Sequence, residues 1–253
     1  MDIATYLERI GYRGGTEPTL ETLRGMHRAH FYSVPFENLD VSRGVRIAVD
    51  EAVNVEKIVG RRRGGFCLEL TGLFGRVLRE MGFRVDVIGA RVMMDGVIGR
   101  TMAHMVLIVH LDEPWIADVG FGGRVIEPLP LRDGAELAVG ERRYAVTCDG
   151  DHWFVTCNEP NNSPGAYFFT LTPRAFDEFL PVCDWLQTSP ASRFTKGDIA
   201  SLATPNGRVT LANRRLIVAD GDRRDEAAIA SNAEYGTILR DRFGIALAAG
   251  GSG

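Results

Sequence analysis

Two glycines run straight into a one-sided apolar pattern whose first turn carries a cysteine: Arg61-Arg62-Arg63-Gly64-Gly65-Phe66-Cys67-Leu68-Glu69-Leu70. Apolar residues then recur at Leu70, Leu73, Phe74, Val77, Leu78 and Met81, the spacing of a helix with one buried face. Cys67 stands three residues before Leu70. It therefore belongs to the same inward stripe, at the end where unpaired backbone N–H groups concentrate positive potential. A thiol placed there is expected to ionise more readily than a free one, which is how a chain prepares a nucleophile. The competing reading is plain: a lone cysteine on the apolar face of a helix is more often a small packing residue.

A chain of 253 residues can bury a substantial core in one large domain or in two to three packed parts. The formal net charge is -4, with acids and bases interleaved, so no nucleic-acid or polyanion partner is expected. The first residues carry neither a basic nor an apolar block, and no secretory signal is expected. No apolar run approaches the roughly 20 residues that span a bilayer, so no membrane partner is expected either. The four cysteines, at 67, 148, 157 and 183, lack Cys-x-x-Cys or matching His spacing. No metal is expected, and reduced thiols in a cytoplasm are the default.

The chain reads as three parts. Helical periodicity covers Thr5 to Ile10 and Leu20 to His30, with Glu17-Pro18-Thr19 as a helix start, while Pro35 breaks any helix before Phe36. From Phe83 the pattern changes to strands. Arg84 to Ile88, Arg91 to Met93, Ala103 to Val109 and Trp115 to Val119 are the first; Tyr144 to Thr147 and Trp153 to Thr156 follow. Arg174 to Leu180 is expected to be helical. Arg208 to Leu211 and Arg215 to Val218 read as strands, and Asp225 to Phe243 as a helix. The fold class is therefore α+β, with helices in residues 1–83, an antiparallel β region in 84–190 and a mixed segment in 191–247. Residues 248–253 form a flexible tail by composition.

A cysteine nucleophile needs a base and a group to orient that base. Of five histidines, His27 and His30 fall on a predicted helix and read as surface or packing residues, while His110 and His152 lie near turns. His104 opens an apolar strand, and the next strand carries Asp118. If Asp112-Glu113-Pro114 form a three-residue loop, Leu111 faces Trp115 and His104 faces Gly122. Asp118 then shares the sheet face of His104 but sits four residues along. A bulge, or a register shift by an even number, is needed to join them.

Together these segments closely resemble the arylamine N-acetyltransferase family. The matching stretches are Val34-Pro35-Phe36-Glu37-Asn38-Leu39, Arg63-Gly64-Gly65-Phe66-Cys67, Gly72-Leu73-Phe74, His104-Met105 and Asp118-Val119-Gly120-Phe121-Gly122. Phe168-Phe169-Thr170-Leu171, Gln187-Thr188-Ser189-Pro190 and Ser192-Arg193-Phe194 extend the likeness. The resemblance implies a helical bundle, a β-barrel and an α/β lid around a cysteine-protease-like triad of Cys67, His104 and Asp118. It implies acetyl transfer from acetyl-CoA through a Cys67 thioester to an arylamine or hydrazine, with no bound cofactor. Gly120, Phe121, Gly122 and Gly123 would lie along the CoA cleft. Phe36, Val92, Phe121 and Phe194 would line the acceptor pocket.

Three departures from the family pattern stand out: Thr71 for Asn, Ala103 for Thr, and Arg124-Val125-Ile126-Glu127-Pro128-Leu129 for a small and polar continuation. They leave open a related reading, an amide synthase that takes a long acyl chain from a carrier-protein thioester and closes it onto an internal arylamine. Its partner would be an acyl carrier protein. Two further classes differ in what they predict: a papain- or transglutaminase-like hydrolase needs no amine acceptor, and a binding module tolerates Cys67→Ala.

Overall fold

Several helices begin where a polar side chain takes up an otherwise unpaired backbone N–H. In the computed structural model, which describes residues 2–94, 96–159 and 164–247, Asp2 accepts from Ala4 N–H to start α1 (Ile3–Ile10). Thr19 does the same for Thr22 at the start of α2 (Leu20–Ser33). After strand β1 (Phe36–Glu37) come the short helices α3 (Leu39–Ser42) and α4 (Glu51–Val55), and then α5 (Cys67–Glu80). The Glu69 carboxylate reaches back to the Phe66 N–H at 3.0 Å, so α5 starts at the cysteine itself. Leu70, Leu73, Phe74, Val77 and Leu78 are all buried, as the spacing predicts. Each contributes about 1.5–3 kcal/mol relative to an exposed position.

A buried ionic network underlies the start of α5. Lys57 Nζ lies 2.8 Å from Glu69 and 2.9 Å from Asp40, and Arg63 bridges Asp40 at 2.9 Å and Glu37 at 2.7 Å. The Arg61–Arg63 run thus divides: Arg61 and Arg62 are solvated, whereas Arg63 brings its charge inside to meet two carboxylates.

The next elements build one antiparallel sheet. Its strands are β2 (Arg84–Met94), β3 (Val97–Ile98), β4 (His104–His110), β5 (Pro114–Ala117), β6 (Leu129–Pro130), β7 (Ala135–Val139), β8 (Arg142–Asp149), β9 (His152–Asn158) and β10 (Gly165–Pro173). The order β6-β5-β4-β2-β10-β9-β8-β7 brings its two ends together in a nearly closed barrel. The two predicted strands before Met94 are one continuous strand. β4 is buried on both faces: Met105, Leu107 and Val109 pack on the helical core, while Val106 and Ile108 face the barrel interior. That accounts for its unbroken apolar run.

Two helix predictions shift. The residues from Arg174 form one tight turn at Phe176–Phe179, and the helix proper is α6 (Leu180–Thr188), whose Val182, Cys183 and Leu186 join the helical core. Pro181 suits the first turn of that helix, where no N–H is needed.

The last part contains β11 (Ile199–Thr204), β12 (Gly207–Ala212), β13 (Arg215–Asp220) and β14 (Arg223–Ala228), then α7 (Asn232–Phe243). The predicted helix over Asp225 to Phe243 therefore begins seven residues late. Cross-strand pairs such as Arg215–Glu226, at 2.8 Å, hold its first residues as an exposed edge strand, and the Ser231 hydroxyl caps the helix at Glu234. β1 adds to β11, so this antiparallel sheet also ties the N-terminal helices to the last segment. No helix among the described residues is long and apolar enough to cross a membrane. The predicted flexible tail, 248–253, lies outside the described residues.

Candidate active site

The hairpin that bears His104 and Asp118 has a three-residue loop, as expected, but moved one residue toward the N-terminus. His110 pairs with Pro114 and Leu107 with Ala117, so the register shifts by two. An even shift keeps both side chains on one face. It also brings Asp118, just past the last paired residue of β5, two residues closer to His104. His104 Nε2 and Asp118 Oδ2 are 2.8 Å apart, both side chains buried. The other carboxylate oxygen accepts from the Gly120 N–H at 2.9 Å.

Cys67 opens on the same cavity as His104. Its Sγ lies 3.5 Å from the carbonyl oxygen of Ala103, the residue before the histidine, and Cys67, Ala103 and His104 all line a cavity of about 710 Å³. The thiol departs from expectation. Burial, reinforced by the Asp118 charge, pushes its pKa up; the N–H groups of Leu68 and Cys67 act in the opposite direction but are outweighed. The helix start is present, yet an apolar setting decides the sign. Ionisation of Cys67 therefore depends on a partner that takes its proton.

Residues that the sequence reading left aside hold this pair in place. His27 is fully buried: its Nδ1 is 2.9 Å from the Ile126 carbonyl oxygen, and its Nε2 accepts from the Asp118 N–H at 3.1 Å. Burial pushes its pKa down, so the ring is neutral with the proton on Nδ1. Its burial, though not its role, was legible, since Leu23, Met26, His27 and His30 recur at helical spacing on one face of α2. Tyr167 on β10 packs its ring 5.1 Å from His104 and 5.0 Å from Phe121. Phe121 in turn lies 5.3 Å from the imidazole.

The glycine run behaves differently from a simple ligand cradle. A Cβ on Gly120 would stand 2.9 Å from Cys67 Cα and 2.5 Å from the Thr71 hydroxyl, so it is the protein's own backbone that requires the close approach. Gly122 and Gly123 have positive φ, and both carbonyls accept from Arg208 of β12, Gly122 at 2.7 Å. Gly120, Phe121 and Gly122 line the cavity; Gly123 supports it from behind through that arginine. Phe36, Val92 and Phe194 also line the cavity, with the Phe194 ring 6.1 Å from Phe36 and 5.7 Å from Phe66. Among the described residues no cluster of His, Cys, Asp or Glu is placed to hold a metal ion.

Known proteins share this arrangement of elements. A family model described as N-acetyltransferase matches residues 19–251. An arylamine N-acetyltransferase from Mycolicibacterium smegmatis is 34% identical over 256 residues, covering 98% of this chain and 93% of that one. An arylamine N-acetyltransferase / N-hydroxyarylamine O-acetyltransferase from Salmonella typhimurium is 37% identical over 215 residues, covering 82% and 75%. Among solved structures, the arylamine N-acetyltransferase of M. tuberculosis superposes with a TM-score of 0.88 at 34% identity, covering 96% of this chain and 94% of that one. The Mycobacterium marinum enzyme in complex with CoA gives 0.88 at 33% identity, covering 96% and 93%. With a family model over most of its length, and relatives and folds matched over nearly all of it, this chain belongs to the arylamine N-acetyltransferase family.

Proposed function

We propose that this enzyme transfers an acetyl group from acetyl-CoA, through a thioester on Cys67, to the nitrogen of an arylamine or arylhydrazine. One observation carries the reading: a buried His104–Asp118 pair, 2.8 Å apart, opens on the same cavity as the Cys67 thiol. Because Nε2 of His104 faces the carboxylate, Nδ1 is the nitrogen left to accept a proton. Asp118 fixes that tautomer and stabilises the imidazolium that forms.

The steps follow from this placement. The Cys67 thiol gives its proton to His104 as sulfur attacks the thioester carbonyl, which removes the cost of an isolated buried thiolate. N–H groups of the first turn of α5 face the developing oxyanion. The bond from carbonyl carbon to CoA sulfur breaks, and CoA leaves with the proton held by His104. The amine nitrogen then attacks the acetyl-cysteine and loses its proton to His104. The amide departs and the Cys67 thiol is restored. Phe36, Val92, Phe121 and Phe194 supply the apolar walls for an aromatic acceptor.

The carrier-protein alternative has no support among the relatives, whose names specify acetyl transfer, and one of which is solved with CoA. A reducing cytoplasm suits the four free cysteines. The proposal is tested by mixing the protein with acetyl-CoA and an arylhydrazine. CoA and the N-acetyl product should appear together and both should be lost in Cys67→Ala; turnover that survives this change would overturn it.

A further inference from the structure

The backbone that leads into Cys67 rests on one carboxylate. Glu69 Oε2 accepts from the Phe66 N–H at 3.0 Å, and its Oε1 accepts from Lys57 Nζ at 2.8 Å. A Cβ on Gly65 would stand 2.9 Å from Glu69 Cβ and 3.0 Å from Oε2, so the chain just before the nucleophile lies directly on this side chain. The Phe66 ring, fully buried, meets Phe194 of the cavity wall at 5.7 Å. The Phe66–Cys67 peptide therefore links Glu69 both to the thiol and to that wall.

The ionic network around Glu69 is uneven. Among the described residues it joins Glu37 of β1, Asp40 of α3 and Glu69 of α5 to Lys57 and Arg63, three carboxylates against two cations, all buried. Arg9 of α1, buried nearby, gives its donors to the carbonyl oxygens of Ser33, Ile58, Arg62 and Arg63. Cys183 of α6, raised by its burial and then by the Glu69 charge, stays a neutral thiol. One negative charge is thus in excess. Burial brings Glu69 up to about 7, and Glu37 adds to the rise against the pull of Lys57. A proton arriving there meets two oxygens that each already face a donor. Lys57 keeps its charge, because its burial is outweighed by Glu69, Glu37 and Asp40, and a charged donor is the stronger partner. The proton therefore settles on Oε2, and the contact that opens is the one to Phe66.

Resting on the transferase reading above, we propose that Glu69 is a positioning residue that holds Cys67 in its attacking place only while its carboxylate is ionised, so that a single proton slows acetyl transfer. Position rather than thiol ionisation is what it changes, since burial and Asp118 lead among the influences on the Cys67 thiol. The sign follows from the raised value: the ionised, active form prevails above about pH 7 and is lost below it. Activity is thus gained over the range where stability is lost.

The test is the rate of Cys67 acetylation at saturating acetyl-CoA, read by intact mass between about pH 5.5 and pH 8.5, in wild type and Glu69→Gln. Ionisation elsewhere in the site is common to both proteins and cancels in the ratio of rates. Gln, like the protonated acid, turns its one acceptor to Lys57. The two proteins should therefore match at low pH, and wild type should be about tenfold faster at high pH. In TROSY spectra of wild type the Phe66 amide proton should move downfield as pH rises through the same midpoint, and it should not do so in Glu69→Gln. Glu37→Gln takes a carboxylate from the network and should move that midpoint to lower pH. A ratio of rates that is constant with pH, or a Phe66 amide that does not titrate, would overturn the positioning role. The amide measurement needs wild type alone, so it decides even where a variant fails to fold. Absence of acetyl-Cys67 in wild type at every pH would count against the transferase reading, whereas acetylation at a pH-independent ratio counts against the positioning role alone.

Discussion

Gly120 lies against the backbone of Cys67: a Cβ added to it would stand 2.9 Å from Cys67 Cα and 3.0 Å from the Cys67 carbonyl oxygen. The loop that carries Asp118 therefore rests directly on the first turn of α5. The two halves of the site, one from the helical core and one from the barrel, meet at a residue with no side chain.

Gly120→Ala is expected to lift that loop by a fraction of an ångström to an ångström. A displacement on this scale costs on the order of a hundredfold in rate. The measurement is kcat for acetyl transfer to an arylhydrazine beside thermal unfolding of the same sample. Wild-type kcat in a folded variant would sink the idea that this contact sets the geometry.

The Asp118 N–H donates to His27 Nε2 at 3.1 Å. In His27→Ala that buried donor is left unpaired, at a cost of about 1–3 kcal/mol. Urea unfolding should show a lower midpoint, and the acylation rate of Cys67 should fall as Asp118 loses its support. Equal midpoints for the two proteins would contradict this role.

Thr71 offers the opposite case. Its hydroxyl is fully buried and, among the described residues, has no hydrogen-bond partner; it is pressed against Gly120. Thr71→Val keeps the shape and removes the unsatisfied oxygen, so it should raise stability by about 1 kcal/mol. Differential scanning calorimetry would register this as a higher Tm, and a clear drop would show that the hydroxyl has a partner in solution.

Burial pushes the Glu69 carboxyl up to about 7, against the opposing pull of Lys57. Below about pH 4.5 the group is protonated in both folded and unfolded chains, and its contribution to stability is whole. Between that pH and the folded value only the native state holds the proton, so stability is lost as pH rises through about 7. Glu69→Gln removes this dependence, while Asp40, which is held low, and Lys57, which is held high, titrate outside the window. The urea midpoint of the variant should gain on that of wild type between about pH 5 and pH 8. A constant gap over that range would contradict the assignment.

Much of this was legible in the residues. The apolar spacing after Cys67 located α5 because a one-sided helix leaves a period, and the unbroken run after His104 located a strand because β4 is buried on both faces. The His104–Asp118 contact was half legible. Alternation gave the shared face, but the position of the turn, and with it the register, rests on whether Pro114 opens a strand or closes a loop. The thiol's pKa was misread because a sequence shows the helix start and not the apolar walls around it. Arg208 could not be read at all, since it comes from a strand more than 80 residues away from the Asp118 loop and meets it only in three dimensions. His27 was hidden for another reason: a histidine on a buried helix face looks the same whether it packs or holds a backbone N–H.

The central claim is that Cys67 carries the acyl group between donor and acceptor. Intact-mass analysis with peptide mapping, after saturating acetyl-CoA and then an arylhydrazine, tests it most directly. The account predicts a gain of one acetyl group located on Cys67, followed by its complete loss when the hydrazine is added. No gain under saturating acetyl-CoA, or an acetyl group located on another residue, would contradict it.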